Sequence, residues 1–573
     1  MKELLKYLKP YRKQCIIGPF CKLMEAILEL LLPTLMAYMI NDGIMAQDQQ
    51  LVYRYSFIMI FMVMIGFGFS ITCQYQAAKA SQGFGTDLRN ALFSHITAFS
   101  YQDLDYFGTP TLVNRLSNDV NQLQVAVAML IRLVVRSPFI CIGAIIMAMF
   151  LDMRLAWILI ASVPFIILIL YVFIRFTTPM YQQYQKLLDK FSSILDDNFA
   201  GIRVIRTFVS KKREQKRFQE NVDELQVQMM KVARLSALLN PSTAIVVNGA
   251  VVILMYQGIL KIQIGDLQPG TIVAFINYAS SILLALIAIS NLIVIFTKAF
   301  ASGKRVSEVL RYSPGLVCGN ASLQEKDEPI VCFDHVSFSY GKGDAALSDL
   351  SFSIRKGESI GIIGGTGAGK TTLISLLCHF YVPTEGRILL YGQDITTLTS
   401  SDLLSHVVLV PQVNELFSGT IEENICFGLS NVSKEDIEQA LSISQAKEFV
   451  DELPKGMHTK IERGGANLSG GQKQRLCIAR AILRKPDLLI LDDASSALDF
   501  KSDAALRKAL KAMDTQMSRI MISQRVSTLA SCDRIIVLDN GEMAGFAPHK
   551  VLYDTCEIYH SICESQHVER GIA

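Results

Sequence analysis

Eight consecutive residues, Gly364, Gly365, Thr366, Gly367, Ala368, Gly369, Lys370 and Thr371, fit the pattern GxxxxGK[ST]. An apolar run, 360–363, precedes them and a helical run follows. Glycines at this spacing let backbone N–H groups curl round phosphates at a helix N-terminus, which already favours anions. Lys370 would reach the outer phosphates, and the Thr371 hydroxyl would bind Mg2+. A second cluster lies in "LDDASSALD", where Asp492 and Asp493 stand side by side after the apolar run 488–491. One acid at the end of a buried strand reads as a metal ligand. The second needs a separate role.

These clusters sit in a chain of 573 residues that is 51% hydrophobic, with mean hydropathy +0.33. That is too apolar and too long for one soluble domain; at ~150 residues per domain it amounts to about three or four domain equivalents. The apolar excess is concentrated in 1–300, whereas 330–565 reads as a soluble domain. A membrane domain at 1–305, a linker at 306–330, a nucleotide-binding domain at 331–565 and a tail at 566–573 are therefore expected. A net charge of +3 is too small to argue for nucleic acid as a partner. Twelve cysteines without a CxxC pair or a zinc-like His spacing are expected to be free thiols. The basic start "MKELLKYLKPYRKQ" has no small-x-small cleavage site and reads as a retained anchor, its Leu4, Leu5 and Leu8 on one face of a short surface helix.

A membrane helix needs about 20 mostly apolar residues. Six segments qualify: 16–40, 56–79, 127–150, 155–175, 242–261 and 271–298. The loops after the second and fourth are long and polar, with clusters such as Lys211, Lys212 and Arg213. The positive-inside rule puts these loops and the Lys-rich N-terminus in the cytoplasm, and an even number of crossings puts the soluble domain there too. Both long loops show helical periodicity and turn at short segments, one near Tyr106, Phe107, Gly108, Thr109 and Pro110, the other near Ala200, Gly201, Ile202 and Arg203. Within the first crossing, Glu25 and Glu29 lie one helical turn apart. Either this face meets a cationic substrate, or it lines a wet cavity or pairs with Lys22 and other local partners. Arg132 and Arg136, at the inner end of the third crossing, are expected to be solvated.

The company of the glycine-rich loop is more specific than the loop itself. "LSGGQKQR" (468–475) stands shortly before "PDLLILDD". Together they resemble the signature and Walker B motifs of the ATP-binding cassette (ABC) family, with Asp492 as the Mg2+-holding Walker B acid. Tyr340 in "VSFSYG" resembles the aromatic that stacks on adenine, and Gln412 in "VLVPQ" the Q-loop glutamine that joins Thr371 and Asp492 around the metal. Ser496, Ala497, Leu498 and Asp499 resemble the D-loop, and "ISQRVSTL" the switch region. With six crossings ahead of the cassette, the chain resembles an exporter-type (type IV) ABC half-transporter: an all-α six-helix transmembrane domain fused to an α/β P-loop ATPase. The resemblance implies ATP and Mg2+ as ligands, with Thr372 completing the phosphate-binding set. It makes the two inner turns coupling helices. It also implies a dimer in which Leu468, Ser469, Gly470, Gly471 and Gln472 face the partner's nucleotide.

The family's catalytic glutamate follows the Walker B aspartate and polarises the attacking water. This chain has Asp493 there, one methylene shorter. The family's switch histidine is replaced by Gln524, which hydrogen-bonds but carries no positive charge. Upstream, Arg463 stands where many exporters place an acid, with Glu462 one step earlier. Two departures at one phosphate resemble the degenerate half of a heterodimeric multidrug exporter. That resemblance implies a different partner chain that carries the catalytic glutamate, a hydrophobic or amphipathic substrate, and a multi-pass location in a bacterial plasma membrane. An importer of, for instance, metal chelates on the same architecture, a homodimer using Asp493 as base, and a non-transporting regulator remain open on the residues alone.

Overall fold

The computed structural model describes residues 2–315, 319–341, 343–494, 498–513 and 517–570. They form two compact units, one of 1–97 with 109–313, the other of 98–108 with 314–573.

The first unit is helical. Arg12–Tyr38 and Gln49–Ile96 are followed by Thr109–Leu151, Met153–Ala200, Lys211–Ile264 and Pro269–Arg311. Among the described residues the last five are long and apolar enough to cross a membrane, where six were expected. Arg12–Tyr38 is 27 residues long but carries Lys22, Glu25 and Glu29, which set it apart from the other five. Gln49–Ile96 and Met153–Ala200 each hold 48 residues. At 1.5 Å per residue that is about 72 Å, more than twice the ~30 Å apolar thickness of a bilayer. Asp48 and Asp152 start these two helices by accepting the first free N–H groups, from Gln50 and Leu51 and from Arg154 and Leu155. Asp152 also pairs with Lys261.

Polar groups tie this bundle together at a few buried points. Tyr278 is fully buried; its hydroxyl donates to the Leu30 carbonyl (2.8 Å) and shares a hydrogen bond with Thr34 (2.7 Å). Asp119, 1% exposed, is held by Ser302 (2.8 Å) and by the Arg305 guanidinium. A buried carboxylate left without such partners would be costly, so these contacts fix how 109–151 packs on 269–311.

The second unit is built on a six-stranded sheet. Its order is Glu542–Ala547, Arg534–Asp539, Ser359–Gly364, Ser518–Ile522, Leu488–Asp492, Val407–Val410. All neighbours run parallel except the Glu542–Ala547 edge. The central strands are buried along nearly their whole length, as expected of parallel strands covered on both faces. A four-stranded antiparallel sheet, centred on Val331–Ser339, shares a core with it that includes Phe333, Leu350, Ile362, Leu377 and Ile490.

The segment 98–108 belongs to this second unit. Its helix Tyr101–Phe107 opens with a reciprocal cap between Ser100 and Asp103 and closes at Gly108, whose φ of 74° is open to glycine at no steric cost. The Tyr101 ring stacks on Phe380 (4.3 Å between centroids), and the Tyr381 hydroxyl donates to Asp105 (2.7 Å). The other expected turn, helix Ile202–Thr207, stays in the first unit and leaves Val204, Phe208 and Val209 exposed.

Candidate nucleotide site

Parallel strands place their C-terminal ends along one edge, and ligands of open α/β sheets bind there. Four adjacent strands end in the residues singled out above. Val407–Val410 leads to Gln412, Leu488–Asp492 to Asp492 and Asp493, Ser518–Ile522 to Gln524, and Ser359–Gly364 to the glycine-rich loop. Residues far apart in the chain, the loop at 364–371, Gln412, the Asp492–Asp493 pair and Gln524, are thus gathered by strand order alone, with Asp492 in register with Ile522.

The loop has the features of an anion cradle. Lys370–Leu377 starts at Gly369 (φ 97°) with no side-chain cap, so its first N–H groups remain available to a ligand. A Cβ on Gly369 would meet Leu347 at 2.5 Å, and one on Gly364 the Leu538 carbonyl at 2.3 Å. By contrast, Gly365 and Gly367 face open space. The Lys370 ammonium folds back onto the carbonyls of Gly364 (2.8 Å) and Gly365 (2.6 Å), bridging the loop that phosphates would fill. Burial depresses its pKa, against the pull of Asp492 and Asp493. Thr366 and Thr371 are exposed, while Ala368 and Thr372 are buried. The donor set fits a polyphosphate. Asp492, 8% exposed, fits a bound cation: burial and the adjacent Asp493 push its pKa up, opposed by Lys370, and a divalent ion would relieve that cost.

Asp493 lies just past the strand at φ 49°, left-handed backbone that an aspartate tolerates better than most residues. Its N–H donates to the Ile522 carbonyl (3.0 Å), and its own carbonyl accepts from Gln474 (3.4 Å). Burial raises its pKa; Arg525, a hydrogen bond from Gln412 and Lys370 work in the other direction. Gln412, expected around the metal, is therefore engaged with Asp493. Gln524 is exposed, one strand over. Tyr340 is half exposed; its hydroxyl donates to Thr372 (3.2 Å), and its ring packs edge-on against Tyr381.

The signature residues form a different kind of helix start. Ser469 caps Gly470–Ile482 by accepting from Gln472 N–H (3.3 Å), and the Gln472 side chain accepts from Ser469 N–H (2.9 Å). Leu468 is half buried beside them, and Gly470 and Gly471 open the helix. Glu462 and Arg463 are both exposed. Ser496 and Ala497 lie outside the described residues; Leu498 is buried, and Asp499 caps the next helix through Ser502 N–H (2.8 Å).

In the first unit the two glutamates are already paired. The Lys22 ammonium holds Glu25 (2.7 Å) and Arg136 holds Glu29 (2.7 Å). Arg136 is thus an ion-pair partner and not a solvated end, and the Nε atoms of Arg132 and Arg136 are buried. An apolar stretch favours this outcome, because each charge lacks water to solvate it. Glu25, Glu29 and Arg136 share a cavity of about 320 Å³ with Leu28, Leu32, Met62 and Phe67.

Three residues escaped sequence reasoning: Gln474, Arg525 and Gln566. Gln474 and Arg525 lie inside quoted motifs, where spacing from Asp493 was the available signal. Gln566 carries no motif, and only folding brings it to the backbone beside Gln524.

Comparison with known proteins agrees with this geometry. Residues 15–287 match the ABC transporter transmembrane region and residues 347–496 match the ABC transporter family. An uncharacterized ABC transporter ATP-binding protein of Bacillus subtilis, YfiB, is 35% identical over 100% of this chain and 99% of its own length. The chain belongs to the ABC transporter family. An ATP-dependent lipid A-core flippase of Chromobacterium violaceum is 29% identical over 97% of this chain and 96% of its own. A solved bacterial Atm1-family ABC exporter with ATP bound shares the fold, with a TM-score of 0.81 at 23% identity over 97% of this chain and 99% of that one. This ABC transporter is accordingly a multi-pass membrane protein of exporter fold. It has an ATP-binding ABC ATPase domain, and its transport is coupled to ATP hydrolysis.

Proposed function

We propose that this ABC transporter is the degenerate-site half of a heterodimeric exporter of hydrophobic or amphipathic compounds. One observation carries the reading: an intact phosphate cradle, 364–371, faces a water-activating position occupied by Asp493 and a switch position occupied by Gln524. In-line attack tolerates little misplacement, and about 1 Å can cost about 10²-fold. Gln524 cannot supply the positive charge of a histidine. ATP would be held in this chain's cradle, with Lys370 on the outer phosphates, Tyr340 against the base, and Thr371 and Asp492 around Mg2+, while Gln412 holds Asp493. Mg2+ in that place would neutralise phosphate charge. The motif at 468–472 completes the partner's site.

The exposed Val204, Phe208 and Val209 at the second coupling turn support a second chain, since apolar side chains clustered at such a turn favour cover. Because Lys22 and Arg136 already neutralise Glu25 and Glu29, an amphiphile without a required positive charge fits the cavity at 25–32 better than a simple cation. The name of the Chromobacterium relative, a lipid A-core flippase, is in keeping with a lipid-like substrate.

A single-turnover assay tests the site. The purified chain with radiolabelled ATP retains the label as ATP over minutes; prompt conversion to ADP in the chain alone sinks the proposal. A homodimer using Asp493 as base is the second reading, favoured by Arg525, Gln412 and Lys370, which all stabilise its carboxylate. Direction is read in inside-out vesicles, where ATP-driven accumulation means export and depletion means import.

A further inference from the structure

The switch loop is held from outside the nucleotide site. Gln566 donates from Nε2 to the Gln524 carbonyl (2.7 Å) and accepts at Oε1 from the Val526 N–H (2.8 Å). One amide thus grips the backbone on both sides of Arg525. From within the loop, Arg525 N–H donates to the Ser523 hydroxyl (3.0 Å). The backbone of 523–526 is therefore fastened at three points.

The grip is built in by the way the last helix ends. Glu557–Ser565 stops at Gln566 with the bond pattern of a Schellman motif: Val568 N–H returns to the Cys563 carbonyl (3.0 Å) and His567 N–H to Glu564 (3.1 Å). His567 takes the left-handed position, φ 53°, where glycine is usual. Val568 packs into the cluster of Tyr559 and Cys563, which also contains Val526 and Leu529 of the switch region. The helix end and the switch loop thus share one small core, and Gln566 stands at the junction as the cap residue.

We propose that Gln566 is a positioning residue for nucleotide recognition: by fixing the backbone around Arg525 it sets where Gln524 stands toward the γ-phosphate, so it controls binding of ATP and not of ADP. The proposal rests on the reading of Gln524 as the switch. ADP lacks the γ-phosphate, so a residue acting only on the switch leaves ADP binding alone. A residue acting on general stability weakens both nucleotides together.

The test uses the full-length chain with MgATP and MgADP as probes, and three variants. Gln566→Met keeps the length and packing of the side chain and loses both bonds. Gln566→Glu keeps the acceptor and sets a carboxylate against the Gln524 carbonyl. Gln524→Ala removes the switch side chain itself. Losing two solvent-accessible hydrogen bonds predicts about fivefold weaker ATP binding in Gln566→Met, with ADP binding unchanged, and a larger loss in Gln566→Glu. Equal losses for ATP and ADP, or none in Gln566→Met, overturn the proposal. If Gln524→Ala lowers the ATP to ADP preference while Gln566→Met does not, the brace alone fails. If Gln524→Ala also leaves the preference intact, the switch reading fails with it.

Discussion

The glycine-rich loop and the acid pair lie on neighbouring parts of one sheet edge, yet sequence treats them differently. The loop keeps every feature that holds phosphate: an uncapped helix start, glycines where a Cβ would collide, and a lysine folded across the opening. On the proposed reading, the acid end keeps the metal position, Asp492, and alters the two that would act on water and γ-phosphate, Asp493 and Gln524. Binding needs a cradle, which backbone supplies. Hydrolysis needs one carboxylate at one distance, which a single methylene changes. The two functions can therefore separate within one site, and each can be broken without the other.

The largest break is on the binding side. Lys370→Ala removes charge-assisted bonds to the outer phosphates and lowers ATP affinity at least about 100-fold, near 3 kcal/mol; equilibrium binding of a fluorescent ATP analogue measures it. On the hydrolytic side, Asp493→Glu alone raises turnover at this site less than about tenfold, because Gln524 still limits, whereas Asp493→Glu with Gln524→His raises it about 100-fold. Full recovery in the single variant would show that the methylene was the whole defect.

A smaller effect follows from acidity. Burial raises the pKa of both Asp492 and Asp493 from the ordinary aspartate value. Each binds its proton more tightly folded than unfolded, so falling pH favours the apo fold through their folded values while removing the metal ligand. On acidification Mg2+-dependent ATP binding is lost before apo thermal stability falls, whereas Asp492→Asn lacks the Mg2+-dependent gain at every pH. The smallest effect belongs to Glu29. Its side chain is already paired with Arg136, so Glu29→Gln leaves transport of a lipophilic cation unchanged. A loss of cation transport would restore Glu29 as a substrate ligand.

The glycine loop, the acid pair and the signature could be read in the sequence because each is a contiguous pattern whose chemistry depends on adjacent residues. The helical spans could be read from their apolar length, although Lys22, Glu25 and Glu29 set the first apart. Partnerships across distance were harder to see. Glu29 and Arg136 are 107 residues apart, and only packing brings them together. Gln566 lies 42 residues beyond Gln524 and reaches it through a helix end whose left-handed residue is a histidine, so the usual glycine marker is missing. The two inner turns read alike as helical loops with Gly or Pro punctuation. They differ in the fold, since Tyr101–Phe107 packs with 314–573 while Ile202–Thr207 leaves apolar residues bare.

The central claim is that this chain holds ATP and leaves hydrolysis to a partner. Steady-state ATPase, measured on the purified chain alone and on the chain co-purified with its partner, tests it most directly. The account predicts turnover near background for the chain alone, robust turnover for the pair, and less than about threefold change in the pair on Asp493→Asn, because the competent site uses the partner's acid. Robust turnover by the chain alone, abolished by Asp493→Asn, would contradict it.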